Sequence, residues 1–94
     1  MTSISFNLSG KTAIVTGGAS GIGRALCQRL GEEGCNVSVF DLNLEGAEET
    51  ISAINAAGGR AAAFEVDIAN LDAVRTGVAA SEEQHGPTEI LVNN

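Results

Sequence analysis

Glycines at positions 17, 21 and 23 stand where an apolar run of strand length, Thr12-Ala-Ile-Val-Thr16, gives way to apolar residues at helical spacing. A strand must turn there directly into a helix that lies back against it. Gly17 supplies backbone angles closed to residues with a Cβ, while Gly21 and Gly23 allow close approach of the chain to a bound group and of the helix to the strand. The start of such a helix carries unpaired N–H groups and a partial positive charge, so it can seat phosphates without a Lys or Arg. A dinucleotide is the expected ligand, with Gly17, Ser20, Gly21, Ile22 and Gly23 as cofactor-binding residues.

Beyond this junction, short apolar runs keep alternating with longer segments whose apolar residues recur every three or four positions. Helix one is expected from about Ile22, with Ile22, Ala25, Leu26, Arg29 and Leu30 along one stripe and Gly34 as its stop. Strand two, Asn36-Val-Ser-Val-Phe-Asp41, ends on an acid. Helix two runs from about Leu44 to Ala57, burying Ala47, Ile51 and Ile54 and leaving Glu45, Glu48 and Glu49 in solvent. Strand three, Ala61 to Val66, leads through Asp67-Ile68 to Asn70, an expected N-cap for a third helix carrying Leu71, Val74 and Val78. Gly86-Pro87 breaks that helix, and strand four covers Glu89 to Val92 before Asn93-Asn94.

This alternation predicts an α/β fold: a Rossmann-type doubly wound parallel sheet of order 3-2-1-4, with residues 1–94 forming one cofactor-binding unit and ending after the fourth strand. The chemically suggestive residues all fall at the carboxyl ends of strands, the side on which such sheets bind ligands. Asp41 follows the third glycine at close to the offset of about 20 residues expected for an acid that accepts hydrogen bonds from a ribose diol. Its charge repels a 2′-phosphate, and neither Ser20 nor Leu42 offers a basic residue to hold one, so NAD is expected over NADP.

The pattern Thr-Gly-x-x-x-Gly-x-Gly over Thr16 to Gly23 resembles the short-chain dehydrogenase/reductase family, and its Gly-Ile-Gly ending resembles the shorter-chain branch; the extended branch places its second glycine where Ser20 stands. The resemblance extends from Leu8 onward and implies further roles. Asp67 corresponds to the acid that bonds the adenine amino group, and Ile68 to the residue whose backbone amide contacts the ring. Leu91-Val-Asn-Asn94 resembles the start of an Asn-Asn-Ala-Gly motif in which one asparagine braces the central strands and the other, matching Asn94, contacts the adenosine ribose. The implied chemistry is hydride transfer between nicotinamide and an alcohol or carbonyl carbon, carried in the family by a tyrosine, a lysine and a serine. None of these three is matched: the chain has no tyrosine, Lys11 precedes strand one, and the family's serine belongs to a later strand. The resemblance thus supplies binding residues and no catalytic ones.

Composition narrows the partners. A net charge of −7 with no basic cluster argues against nucleic acid or an anionic membrane. No apolar stretch nears the ~20 residues that span a bilayer, and Met-Thr-Ser-Ile-Ser-Phe lacks the pattern of a secretion signal, so a cytoplasmic location is expected. Cys27 and Cys35 fit neither a redox pair nor a zinc site and read as buried thiols; His85 reads as facing the helix dipole or solvent. No metal site is expected.

Two other readings compete with the fragment of an NAD-dependent oxidoreductase. The residues could act as they stand, as a non-catalytic nucleotide-binding or self-assembling module whose open fourth strand seeks a partner; a homo-oligomer is expected in either case. A methyltransferase using S-adenosylmethionine also places an acid at the end of strand two, but it usually has an acid where Thr16-Gly17 stands here.

Overall fold

The computed structural model describes residues 8–94; residues 1–6, read above for a secretion signal, lie outside the described residues. Seven elements alternate in order: β1 (Thr12–Thr16), α1 (Gly21–Glu32), β2 (Asn36–Asp41), α2 (Leu44–Ala56), β3 (Arg60–Glu65), α3 (Leu71–His85) and β4 (Thr88–Asn93). The four strands pair in parallel in the order β3-β2-β1-β4, as the alternation predicts. Boundaries differ from the sequence reading by one residue or so: β3 starts at Arg60 and leaves Val66 outside, and β4 gains Thr88 and Asn93.

Alternation along the strands divides the core between the two faces of the sheet. Ala13, Val15, Val37 and Val39 point to one side, where Cys27 of α1 and Ala47 and Ile54 of α2 cover them. Ile14 and Phe40 point to the other with Val66, and Ala73, Val74 and Val78 of α3 pack there. Every residue of β1 is buried, as befits a strand paired on both sides and covered on both faces.

The inward face of α1 corrects the expected stripe. Ile22 is 75% exposed, and Ala25, Leu26 and Arg29 also face outward. Leu30 is half-buried, and the residues turned to the sheet are Gly23, Cys27 and Gly31. The reason is distance: a Cβ on Gly31 would come within 2.7 Å of Ile54, and one on Gly18 within 2.8 Å of the Cys27 Sγ. Helix, turn and sheet are too close for large side chains between them. Burial also pushes the Cys27 thiol up to about 11, so this sulfur serves packing.

His85 is a second correction. It is half-buried at the C-terminus of α3, and its Nδ1 lies 3.1 Å from the Ser38 hydroxyl, which in turn lies 2.6 Å from that of Ser81. Thr12 Oγ1 donates to the His85 carbonyl at 2.7 Å. These hydroxyls satisfy polar groups inside the α3 face of the sheet, which an isolated reading of one histidine near a helix end misses.

Candidate functional site

Because all strands run the same way, the turn after β1, Asp41 at the end of β2, Asp67-Ile68 after β3 and Asn93-Asn94 at the end of β4 lie along one edge of the sheet. Gly17, Asp41, Asp67 and Ile68, with Phe40, Leu42 and Val66, line a cleft of about 160 Å³ there. Residues from the ends of β1, β2 and β3 are thus brought to a single depression.

The turn leads into a helix start unlike the other two. Asn43 caps α2 by accepting from the Gly46 N–H at 3.0 Å, Asn70 caps α3 by accepting from Ala73 at 3.1 Å, and each helix carries an acid in its first turn. Ser20 at the N-cap of α1 makes no such bond, and that first turn holds no acid. The opening N–H groups of α1 therefore lack a side-chain acceptor and keep the positive end of the helix dipole uncompensated. Gly17 and Gly21 have positive φ, 70° and 57°, and a Cβ on Gly21 would meet nothing within 4 Å. A Cβ on Gly23 would run into the Gly17 carbonyl and come within 2.7 Å of Asn94 Nδ2.

Asp41 is fixed from two directions. Its Oδ1 accepts from the Asn43 N–H at 2.9 Å, the turn contact that any strand-ending acid can make. Its Oδ2 accepts from the Ala19 N–H at 3.1 Å, which joins it to the glycine turn. A carboxylate has about four lone-pair sites, so two protein bonds leave capacity for a diol. Asp67 uses Oδ1 to accept from the Ala69 N–H at 2.9 Å, a turn contact, and Ile68 beside it is 56% exposed at the cleft wall.

Asn93 and Asn94 tie β4 to the turn. The Thr16 hydroxyl lies 3.2 Å from Asn93 Oδ1 and accepts from the Asn94 N–H at 3.1 Å, and Asn94 Nδ2 donates to the Gly17 carbonyl at 3.2 Å. Two further residues belong to this neighbourhood and were absent from the sequence reading. Arg24 reaches the Ala19 carbonyl, and Thr50 the Gly18 carbonyl at 2.8 Å. They sit on helices rather than in a motif, and Thr50, on α2, lies 32 residues from the Gly18 carbonyl it touches, so no local pattern singles them out. Among the described residues no group of three or more His, Cys, Asp and Glu is placed to hold a metal ion, and no helix is long and apolar enough to cross a membrane.

Residues 11–94 match the model of the family described as short chain dehydrogenase. The chain is similar to 3beta-hydroxysteroid dehydrogenase 1 of Eggerthella lenta, 42% identical over 89 residues that make up 94% of this chain and 34% of that protein. It superposes on a dehydrogenase/reductase from Sinorhizobium meliloti 1021 with a TM-score of 0.91 and 42% identity, covering 96% of this chain and 36% of that one. A metagenomic short-chain oxidoreductase in complex with NADP superposes with a TM-score of 0.88 and 35% identity, covering 95% and 40%. The chain thus spans between about a third and two fifths of the length of these relatives.

Proposed function

The chain belongs to the short-chain dehydrogenase family, and on that premise we propose that it is the cofactor-binding part of an oxidoreductase that moves a hydride between NAD(H) and an alcohol or carbonyl carbon. The observation that carries the reading is the bare N-terminus of α1, the one long helix start among the described residues without side-chain cap or first-turn acid, opening at the carboxyl edge of the sheet. The diphosphate rests on the N–H groups of Gly21, Ile22 and Gly23, with Gly17 and Ser20 shaping the turn around it. Asp41 accepts from the adenosine ribose, Asp67 and Ile68 hold the adenine, and Asn94, which donates to the Gly17 carbonyl, contacts the adenosine ribose. When bound, the nicotinamide ring supplies the hydride chemistry. The residues of this chain bind and orient the cofactor.

NAD over NADP rests on Asp41. Both carboxylate oxygens are anchored by backbone N–H groups, so the charge cannot swing away from a 2′-phosphate, and its neighbours Ser20 and Leu42 carry no charge to offset it. The same reading has an alcohol or ketone as substrate and a cytoplasmic homo-oligomer as the working form.

Titrating the full-length protein with NADH and with NADPH by cofactor fluorescence tests the assignment. NADH is expected to bind at least about tenfold more tightly, which corresponds to about 1.4 kcal/mol. Asp41→Ala is expected to weaken NADH and narrow or invert that ratio. An unchanged ratio in the variant would remove Asp41 from its assigned role.

A further inference from the structure

We propose that Thr50 and Arg24 are positioning residues for the dinucleotide: they lock the peptide planes of the glycine turn from behind and so fix both the phosphate seat and the Asp41 carboxylate. This inference rests on the cofactor assignment above. The peptide joining Gly18 to Ala19 is held at both ends. Its carbonyl accepts from Thr50 Oγ1 at 2.8 Å, and its N–H donates to Asp41 Oδ2 at 3.1 Å. The next carbonyl, that of Ala19, accepts from Arg24 Nη2 at 2.5 Å.

Proton counting links the two side chains. A threonine hydroxyl has one proton, and Arg24 Nε donates to Thr50 Oγ1 at 3.0 Å. The arginine therefore occupies the acceptor side of the hydroxyl and leaves its proton for the Gly18 carbonyl, or for that of Gly46 at 3.2 Å. Arg24 Nη2 also reaches the Gly46 carbonyl at 3.1 Å and Glu49 at 3.3 Å, which roots the network in α2. Thr50 is fully buried and the bonds from the guanidinium are charge-assisted, so the network resists rearrangement. Were the Gly18–Ala19 peptide to flip, the Asp41 carboxylate would face a carbonyl instead of an N–H. Freedom at Thr50 is thereby freedom at the residue that selects the cofactor.

Thr50→Val keeps the shape and removes the hydroxyl; Thr50→Ser keeps the hydroxyl. In the full-length protein, Thr50→Val is expected to raise the Kd for NADH about fivefold to tenfold, on the scale of one lost buried hydrogen bond, and to narrow the NADH/NADPH ratio. Thr50→Ser is expected to restore both. If Thr50→Val melts below the assay temperature, Arg24→Met, at a part-exposed site, carries the test by the same two readouts. Wild-type protein that binds neither dinucleotide overturns the cofactor assignment and this inference together. Wild-type binding with Kd and ratio unchanged in the variant overturns this inference alone, as does a Thr50→Ser protein no better than Thr50→Val.

Discussion

A methyl group at Gly21 points into open space, whereas one at Gly23, two residues on, meets the Gly17 carbonyl. The two substitutions are therefore expected to fail differently. Gly21→Ala strains a residue at φ 57°, which costs about 1–2 kcal/mol, but its methyl meets no neighbour; placed at the start of α1, it is expected to hinder a diphosphate. Gly23→Ala forces α1 away from β1 and is expected to cost more than about 2 kcal/mol through overpacking. Thermal melting paired with NADH titration separates them: Gly21→Ala should melt within several degrees of wild type with dinucleotide binding largely lost, and Gly23→Ala should lose much of its stability. A Gly21→Ala protein that binds NADH normally would show that the turn does not carry the diphosphate. The motif glycines were legible in the sequence because each answers a local demand. The Ala19–Asp41 bond was not, since an N–H carries no side-chain signature and its partner lies 22 residues away.

Helix α3 holds the titratable group whose environment matters most for its element. Burial, and secondarily the Arg60 guanidinium, hold the His85 imidazole below its ordinary value of 6.5. The unfolded chain then takes up a proton at a higher pH than the folded one. The neutral histidine's contribution to stability is fully present above about pH 6.5 and is lost as pH falls from there toward the folded-state value. His85 Nε2 is buried without a hydrogen-bond partner among the described residues, so a proton added there gains no acceptor. Denaturant midpoints measured between pH 7.5 and 5 are expected to fall less steeply for His85→Phe than for wild type, and equal slopes would exclude this histidine as the source. Element boundaries were readable because Gly, Asn and Pro punctuate them: Asn70 caps α3 and Gly86 ends it as the pattern implies. Inward faces were less so. A stripe of large apolar residues marks a helix packed at ordinary distance, but α1 packs through Gly23, Cys27 and Gly31, and such a face looks blank in a sequence. His85 was misread for a related reason, because Ser38, which engages it, belongs to a strand 47 residues earlier.

At the scale of the whole sheet formed by the described residues, the two edges are not equivalent. The β3 edge carries the exposed charges Arg60 and Glu65, which discourage further pairing. The β4 edge carries a single exposed charge, Glu89, and then runs Ile90-Leu-Val92, with Leu91 66% exposed beside a groove of about 310 Å³ whose lining includes Ile14, Phe40, Val74, Val78 and Leu91. A polypeptide of these 94 residues alone is expected to sediment as a dimer or larger species at micromolar concentration, and Leu91→Lys to shift it toward monomer. A well-folded wild-type monomer would count against this. The same strand governs timing. Asn94 reaches back across 77 residues to the Gly17 carbonyl, whereas β1 meets β2 through pairs such as Thr16 with Phe40. Closing the longer span costs about 1 kcal/mol more in chain entropy. As the polypeptide leaves the ribosome, β1, β2 and β3 can assemble with their helices while the Asn94 bond to the Gly17 carbonyl is still missing. Dinucleotide binding at full affinity is therefore expected only once β4 has docked and Asn94 holds the Gly17 carbonyl.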